Sequence, residues 1–412
     1  MQTFSPDLAG FMFSNLSSKR SNEACRIAFL LHQPVQAAPL RHAFDDLRPR
    51  FPSFFVGLQR KMFSNQLVNA GHSGEVLPPQ RECLPFKLGA KHPLVRAIYD
   101  GNWLAFEFAH IVADGGAGMV FAKTLLARYL ELCGHTVDWT DLAKLNEPPT
   151  EEELRDDYKQ NYRKCASKTP QPPMPFHYYA RKGKRFLRVT TIQLQLPQLL
   201  AAVKAAECTV TEYLVAAYML AFYRNSLRAQ ISYRPIRITI PVSLRKYYNS
   251  TSLRNFSLVT DLCFYPRKNP NATHEDILDE IRGKLATLTT PENIDRMIYT
   301  NQSMREMPLA NVVPNAVLRL GVRVGYMLVG EGTSSLSNLG TFTLPPSLAT
   351  HVQDTQVAVS NSRRAALQTI AHTYQNHHNI IFTRSTRDKS VILAMAKVLQ
   401  ELGLDAQVLE HR

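Results

Sequence analysis

A chain of 412 residues is long for a single core and makes about two domain-sized units the expectation. Its 45% hydrophobic and 20% charged residues are ordinary globular composition, which excludes wholesale disorder. The net charge of +14 suits an anionic partner of any kind (nucleic acid, membrane surface or a phosphate-bearing small molecule) and does not choose among them.

The N-terminal stretch Met1–Arg20 lacks a charged head followed by an apolar run, so it does not read as a secretory signal. No apolar stretch approaches the roughly 20 residues of a membrane span; Tyr213–Tyr223, the longest, reads as a buried helix. The cysteines Cys25, Cys83, Cys133, Cys165, Cys208 and Cys263 are widely spaced and form no C-x-x-C clip. Reduced thiols and a cytoplasmic location are the expectation.

In chain order, Arg26–Leu31 is a short apolar run, Pro39–Leu47 has helical spacing, and Phe51–Val56 is apolar again: strand, helix, strand. Leu94–Tyr99 and Trp103–Phe108 read as strands joined by the hairpin signal Asp100-Gly101. The second runs into a loop at His110–Gly116 and then into a helix marked by Met119, Leu125, Leu126, Tyr129 and Leu130. From Asn146 the composition changes. Glu147–Ala180 is rich in Pro and charged residues and reads as a crossing linker, followed by the basic run Arg181–Arg188. A second block then predicts a strand at Val189–Leu194, helices near Leu199–Ala206 and Thr211–Ser226, and a strand pair at Ile236–Val242 and Leu258–Tyr265. Helices near His274–Thr287 and Asn315–Val329, strands at Gln368–His372 and Asn379–Thr383, and a helix at Val391–Leu402 complete it. His377-His378 reads as an exposed hairpin turn. The class is α/β (α+β) with mixed sheets, divided as 1–147, a linker 148–186, and 187–412.

One segment carries chemistry: Phe108-Ala109-His110-Ile111-Val112-Ala113-Asp114-Gly115-Gly116. A histidine at the end of a strand points into the space beyond the sheet, and imidazole can accept a proton near neutrality. Asp114 falls where the following helix starts, a place where a carboxylate caps free backbone donors. Gly115 and Gly116 permit a tight turn and close approach of a substrate. A core histidine beside an aspartate cap would give the same string, so the motif alone leaves both readings open. No His/Cys cluster has zinc spacing and no phosphate loop is present. Gly71-His72-Ser73-Gly74 misses a serine elbow by one position.

The motif and its setting resemble the H-H-x-x-x-D-G acyltransferases of the chloramphenicol-acetyltransferase-like superfamily, most nearly the bacterial alcohol-acetyltransferase-like and condensation-domain-like proteins. Ile240-Pro241-Val242-Ser243-Leu244-Arg245 resembles that family's P-V-x-x-R strand end. Thr251-Ser252-Leu253-Arg254-Asn255-Phe256 resembles the segment that follows it, and Ser337-Asn338-Leu339-Gly340 a late S-N-L-G turn. The order fits across roughly residues 25 to 400. The chain departs from the pattern at Ala109, which replaces the first motif histidine, and it lacks the D-F-G-W-G segment of the plant branch.

The resemblance implies two lobes, a tunnel between them, and His110 as general base for acyl transfer from a thioester to a hydroxyl or amine. Asp114 would fix the loop by pairing with Arg245. Gly115, Asn255 and Ser337 would line the substrate path or donate to a developing oxyanion. The implied co-substrate is acyl-coenzyme A, whose phosphates Arg181–Arg185 could meet, with a small-molecule acceptor and no resident cofactor. A chain holding both lobes can build its site internally, so a monomer is expected, with no nucleic-acid partner. Amide-forming condensation on carrier-bound substrates is a second reading. A degenerate, ligand-binding relative, suggested by Ala109, is a third.

Overall fold

The run Ala24–Leu31 is apolar at nearly every position because both faces of its sheet are covered. The computed structural model describes residues 3–17, 23–71, 75–178, 187–305, 313–329, 331–360 and 367–411. In it this run is an inner strand of a five-stranded sheet with the order Val352–Val359, Ala24–Leu31, Trp103–Ala109, Val95–Asp100, Glu75–Val76. The pairings are antiparallel except the last, so the sheet is mixed. The helices Ala37–Asp46 and Gly115–Leu132 contribute to the first core, where Phe106 stacks on Phe121 at 4.2 Å among Phe44, Phe54 and Phe108. Gly118 sits where a Cβ would come within 2.3 Å of the Phe108 ring, so only glycine lets this helix approach the strand.

Polar residues also cross this sheet. Arg26, Glu107 and Arg96 occupy the same register on three adjacent strands. Arg26 Nε donates to Glu107 Oε1 at 2.7 Å and Arg96 Nε to Oε2 at 2.5 Å. Burial alone would push the Glu107 carboxyl up, but the two guanidinium groups hold it below its usual value. Slipping any of these strands by one residue would unpair a buried charge.

The second sheet has seven strands in the order Ser257–Phe264, Ile236–Ser243, Ser334–Thr341, Leu367–Tyr374, His377–Arg384, Arg188–Gln195, Gln407–His411. Ser334–Thr341 runs parallel to both its neighbours; the other pairs are antiparallel. The helix Val210–Asn225 is buried at every residue from Glu212 to Tyr223, as a helix apolar all round must be. It starts at a reciprocal cap between Thr209 and Glu212.

The strand Val352–Val359 leaves the second block of sequence and pairs with Ala24–Leu31 of the first sheet. The two sheets meet there: Tyr374 Oη donates to Val352 O at 3.1 Å, and His372 Nε2 lies 3.0 Å from Thr355 Oγ1. The 148–178 segment runs from one lobe to the other. Arg50 grips Glu153 bidentately at 2.8 and 2.6 Å, whereas Phe176 N bonds Pro235 O. A small third core forms at the junction from Leu8, Tyr158, Leu244, Phe256, Ile294 and Ile298.

Several elements differ from expectation. Phe51–Val56 is not a strand; the strand is Val56–Arg60, and the preceding phenylalanines bury their rings from turns. Apolar content alone does not separate these cases. The helix expected over 274–287 breaks at Arg282 and Gly283, whose φ of +71° no helix accommodates. His377-His378 is no exposed turn: the chain reverses at Gln375-Asn376, and His378 is buried with Nδ1 2.9 Å from Thr373 Oγ1. The strands Ser334–Thr341 and Val352–Val359 and the helices Leu8–Leu16 and Pro291–Arg305 have no counterpart in the sequence reading. Cys25 and Cys83 are buried, and the six cysteines are unpaired. Arg181–Arg185 and His72–Gly74 lie outside the described residues. Among the described residues no helix is long and apolar enough to cross a membrane.

Candidate active site

The ladder between Ala24–Leu31 and Trp103–Ala109 ends at Ala24↔Ala109, and His110 N closes it by donating to Glu23 O at 2.7 Å. Ile111, Val112 and Ala113 are buried pegs. Asp114 then caps the helix Gly115–Leu132, with Oδ1 accepting from Ala117 N at 3.1 Å. The imidazole is thus held between a finished strand and a capped helix.

Asp114 Oδ2 accepts from Arg245 Nη1 at 2.7 Å and from Phe256 N at 2.8 Å. Arg245 spends its remaining donors on Ser252 O, at 3.0 and 2.9 Å, and on Arg254 O at 2.6 Å. One guanidinium therefore ties the 252–256 segment of the second lobe to the histidine loop of the first. Gly116 makes room for it, since a Cβ there would lie 3.2 Å from Arg245 Nη1. Burial tends to raise the Asp114 carboxyl, but Arg245 and the Phe256 and Ala117 amides hold it below its ordinary value.

His110 Nδ1 lies 3.1 Å from Asn255 Oδ1. The other end of that amide is fixed: Asn255 Nδ2 donates to Asp7 Oδ1 at 3.1 Å, and Asn255 N donates to Asp7 Oδ2 at 3.2 Å. A carboxylate only accepts, so it takes the NH2 group and leaves the carbonyl oxygen facing the imidazole. This arrangement favours the tautomer with the ring proton on Nδ1, in which Nε2 can accept one. Asp7 is itself anchored. It caps the helix Leu8–Leu16 through Gly10 N at 2.7 Å, and Arg254 Nη2 lies 3.6 Å from its Oδ2. Burial pushes the Asp7 carboxyl up to about 6, against the pull of Arg254.

The helix Leu8–Leu16 lies directly on the histidine loop. Phe13 packs on His110 with ring centroids 4.4 Å apart, and a Cβ on Gly10 would sit 2.7 Å from Ile111 O. Burial lowers the His110 pKa below the ordinary imidazole value, against the upward pull of Asp114, nearby carbonyls and Asn255. An imidazole that is neutral at physiological pH, with one tautomer enforced and Nε2 unprotonated, can take a proton from a hydroxyl or amine.

The structure thus brings together His110, Asp114, Arg245 and Asn255. The Asn255 amide, shielded from solvent, is hydrogen-bonded to Asp7 through Nδ2 and faces His110 Nδ1 through Oδ1. Gly115 is 3.9 Å, at its Cβ position, from Leu339 Cδ2, which carries the Ser337–Gly340 string to the same loop. That string is strand with a bulge, not a turn: Ser337 pairs with Ile370, the register shifts between Asn338 and Thr341, and Gly340 has φ +69°. Ala109 is fully buried in the first core. Asp7 and Phe13 were missed; an aspartate before the apolar run Leu8–Phe13 is a helix-start signal, but nothing local says where that helix docks. Among the described residues no cluster of His, Cys, Asp and Glu could hold a metal ion.

No family model and no curated protein matches the sequence. Solved structures do match over nearly the whole chain. Polyketide synthase associated protein 5 from Mycobacterium tuberculosis is 16% identical, with 96% of this chain and 97% of that chain covered and a TM-score of 0.59. F. graminearum TRI101, complexed with coenzyme A and deoxynivalenol, is 11% identical, with 98% and 100% covered and a TM-score of 0.67. The epimerization domain from the third module of tyrocidine synthetase B is 12% identical, with 98% and 96% covered and a TM-score of 0.59. At these identities the likeness establishes the fold.

Proposed function

We propose that this chain, whose two-lobed fold is that of the chloramphenicol-acetyltransferase-like and condensation-domain proteins, transfers an acyl group from a thioester to a hydroxyl or amine. The observation that carries the reading is the Asp7–Asn255–His110 Nδ1 chain of hydrogen bonds, which favours the tautomer whose Nε2 can take a proton. In the reaction Nε2 takes the proton of the acceptor as its oxygen or nitrogen attacks the thioester carbonyl carbon. The tetrahedral intermediate collapses with cleavage of the C–S bond. The departing thiolate takes the proton back from the imidazolium, giving ester or amide and free thiol.

Asp114 and Arg245 are positioning residues in this scheme, because each touches the other and the backbone around the base. The lobes 1–147 and 187–412 would form the two walls of a tunnel, with 148–186 as the crossing segment and the strand Val352–Val359 as the second lobe's loan to the first sheet. Acyl-coenzyme A is the donor we favour, since TRI101 with a similar fold was crystallised with coenzyme A. Six unpaired thiols suit a reducing, cytoplasmic setting.

Free thiol release from acetyl-coenzyme A and longer acyl-coenzyme A thioesters, measured with a panel of alcohols and amines, tests the reading. Acceptor-dependent release that His110→Ala reduces by about 10²–10⁴-fold is expected. Coenzyme A binding without turnover on any acceptor would favour a ligand-binding relative, and wild-type release by His110→Ala would remove the base from the scheme.

A further inference from the structure

The helix Asn315–Val329 packs on the helix Leu8–Leu16, whose Phe13 covers His110, and it turns an apolar stripe outward. Val317, Leu320 and Val324 are 57%, 63% and 45% exposed. At 100° per residue they share one face, with Gly321 between them. The stripe continues onto the turn between the strands Val56–Arg60 and Asn65–Asn69. There Asn315 fastens the helix, its N donating to Met62 O at 2.6 Å and its Nδ2 to Asn65 Oδ1 at 2.7 Å, and Met62 and Phe63 are exposed beside it. A soluble surface does not usually gather five such residues without a partner.

The charge along this stripe has one sign. Arg319 and Arg323 border it on the helix, and Arg60 and Lys61 border it on the turn; neither segment contains an aspartate or glutamate. Burial, and then the charges of Arg319 and Arg323, lowers the pKa of Arg60, and burial and then Arg323 lowers that of Arg319, so these guanidinium groups stand close together. Arg60 reaches Ser14 O and Ser17 O, and Arg323 reaches Ser17 O, at the end of the helix Leu8–Leu16, and among the described residues no carboxylate forms an ion pair with Arg60, Arg319 or Arg323. The cationic cluster is therefore unneutralised beside an apolar stripe.

We infer that this face, Val317, Leu320 and Val324 with Met62 and Phe63 between Arg60, Arg319 and Arg323, docks on the surface of an anionic phospholipid bilayer. Apolar side chains would enter the headgroup–acyl boundary while the arginines meet lipid phosphates. The helix is too short and too charged to span, so binding is peripheral. Because this helix lies on the one that covers His110, docking would set that side of the site against the lipid, where lipophilic acceptors reside. The inference stands on surface geometry and is independent of the acyl-transfer reading.

The test is co-sedimentation of the full chain with phosphatidylcholine vesicles that contain or lack phosphatidylglycerol. Binding to the anionic vesicles, weak binding to the neutral ones, and release by salt are expected. Leu320→Glu with Val324→Glu, both exposed and so compatible with the fold, should cut the bound fraction by about tenfold or more by removing apolar contact and adding repulsion; an unchanged circular dichroism spectrum and Tm verifies the fold. The inference fails if the wild type does not sediment with anionic vesicles, or if the double variant binds as the wild type does. It fails equally if the wild type ignores vesicles and runs as a dimer that the double variant splits, which would give the face to a second copy of the chain.

Discussion

Asp7 holds Asn255 from 248 positions away in sequence, by its backbone N–H at 3.2 Å and its side-chain amide at 3.1 Å. This contact fixes which atom of Asn255 faces His110, and through it which nitrogen of the imidazole bears the proton. A fully buried carboxylate thereby orients the amide that faces the candidate base.

Asp7→Asn tests that positioning role. Asparagine is nearly isosteric but is no longer obliged to accept from the Asn255 amide, so the His110 tautomer is released. A fall in kcat of about 10²-fold or more is expected with little change in KM, since a wrong tautomer can cost up to roughly 10⁴-fold. The pH profile supplies an independent reading. Asp7 must be ionised to hold Asn255, and its pKa of about 6 makes wild-type activity fall as pH drops through that value. His110 titrates below the ordinary imidazole range, and only its neutral form serves as base. In Asp7→Asn the limb near 6 should vanish, leaving the His110 limb alone. A profile identical to wild type would separate Asp7 from the base.

The Asp114–Arg245 pair predicts coupled losses. Asp114→Asn and Arg245→Gln each free the 252–256 segment, so the double variant should be little worse than either alone, with a coupling of about 0.5–3 kcal/mol in Tm-derived stability and in kcat/KM. The sign with pH follows from the depressed Asp114 pKa. Its contribution is present above the ordinary carboxylate value near 3.8 and is lost as pH falls through the lower folded value. Asp114→Asn should therefore flatten the acid limb of wild-type stability. Additive losses would mean that the two residues act separately.

What the sequence revealed and what it hid divide along contact range. His110, Asp114 and Arg245 sit in short strings whose residue types single them out as candidates, and the hairpin Asp100-Gly101 and the all-apolar helix through Tyr213–Tyr223 follow from local pattern. Asp7 announces only a helix start, because its value lies in a partner far along the chain. Asn255 was legible as a candidate but its partners were not, since an amide's partners are set by tertiary packing. The strand Val352–Val359 joins the first sheet across most of the chain length, a pairing no local periodicity encodes. His377-His378 looked like a turn because polar residues surround it, while the reversal at Gln375-Asn376 moves His378 indoors.

Glu107 predicts a stability effect away from the site. It is fully buried between Arg26 and Arg96, so Glu107→Gln leaves two buried guanidinium groups without a countercharge. A loss of about 3–5 kcal/mol is expected in denaturant unfolding. Replacing all three with apolar residues of similar volume (Arg26→Met, Glu107→Leu, Arg96→Met) should recover most of it, because the desolvation cost of the charges goes with them. A Glu107→Gln variant as stable as wild type would show that the ladder is not needed for strand register.

Ala109→His restores the histidine pair of the resembled motif and asks what its absence does here. Ala109 is fully buried, pairs with Ala24 at the end of the strand ladder, and belongs to the first core. Successive residues of a strand point to opposite faces, so the new imidazole would enter that core and not the side where His110 meets Asn255. Overpacking of this kind typically costs about 1–3 kcal/mol, and a buried imidazole adds donors and acceptors that cost more wherever they find no partner. The expected result is a lower Tm with kcat equal or reduced. Loop support that the first histidine gives in the resembled family is supplied here from the other side, by Phe13 on His110 and by Gly10 against Ile111 O. A rise in both Tm and turnover in Ala109→His would show instead that the loop lacks support, and Phe13→Ala should then be silent. If Phe13 is the support, Phe13→Ala lowers kcat while Ala109→His does not raise it.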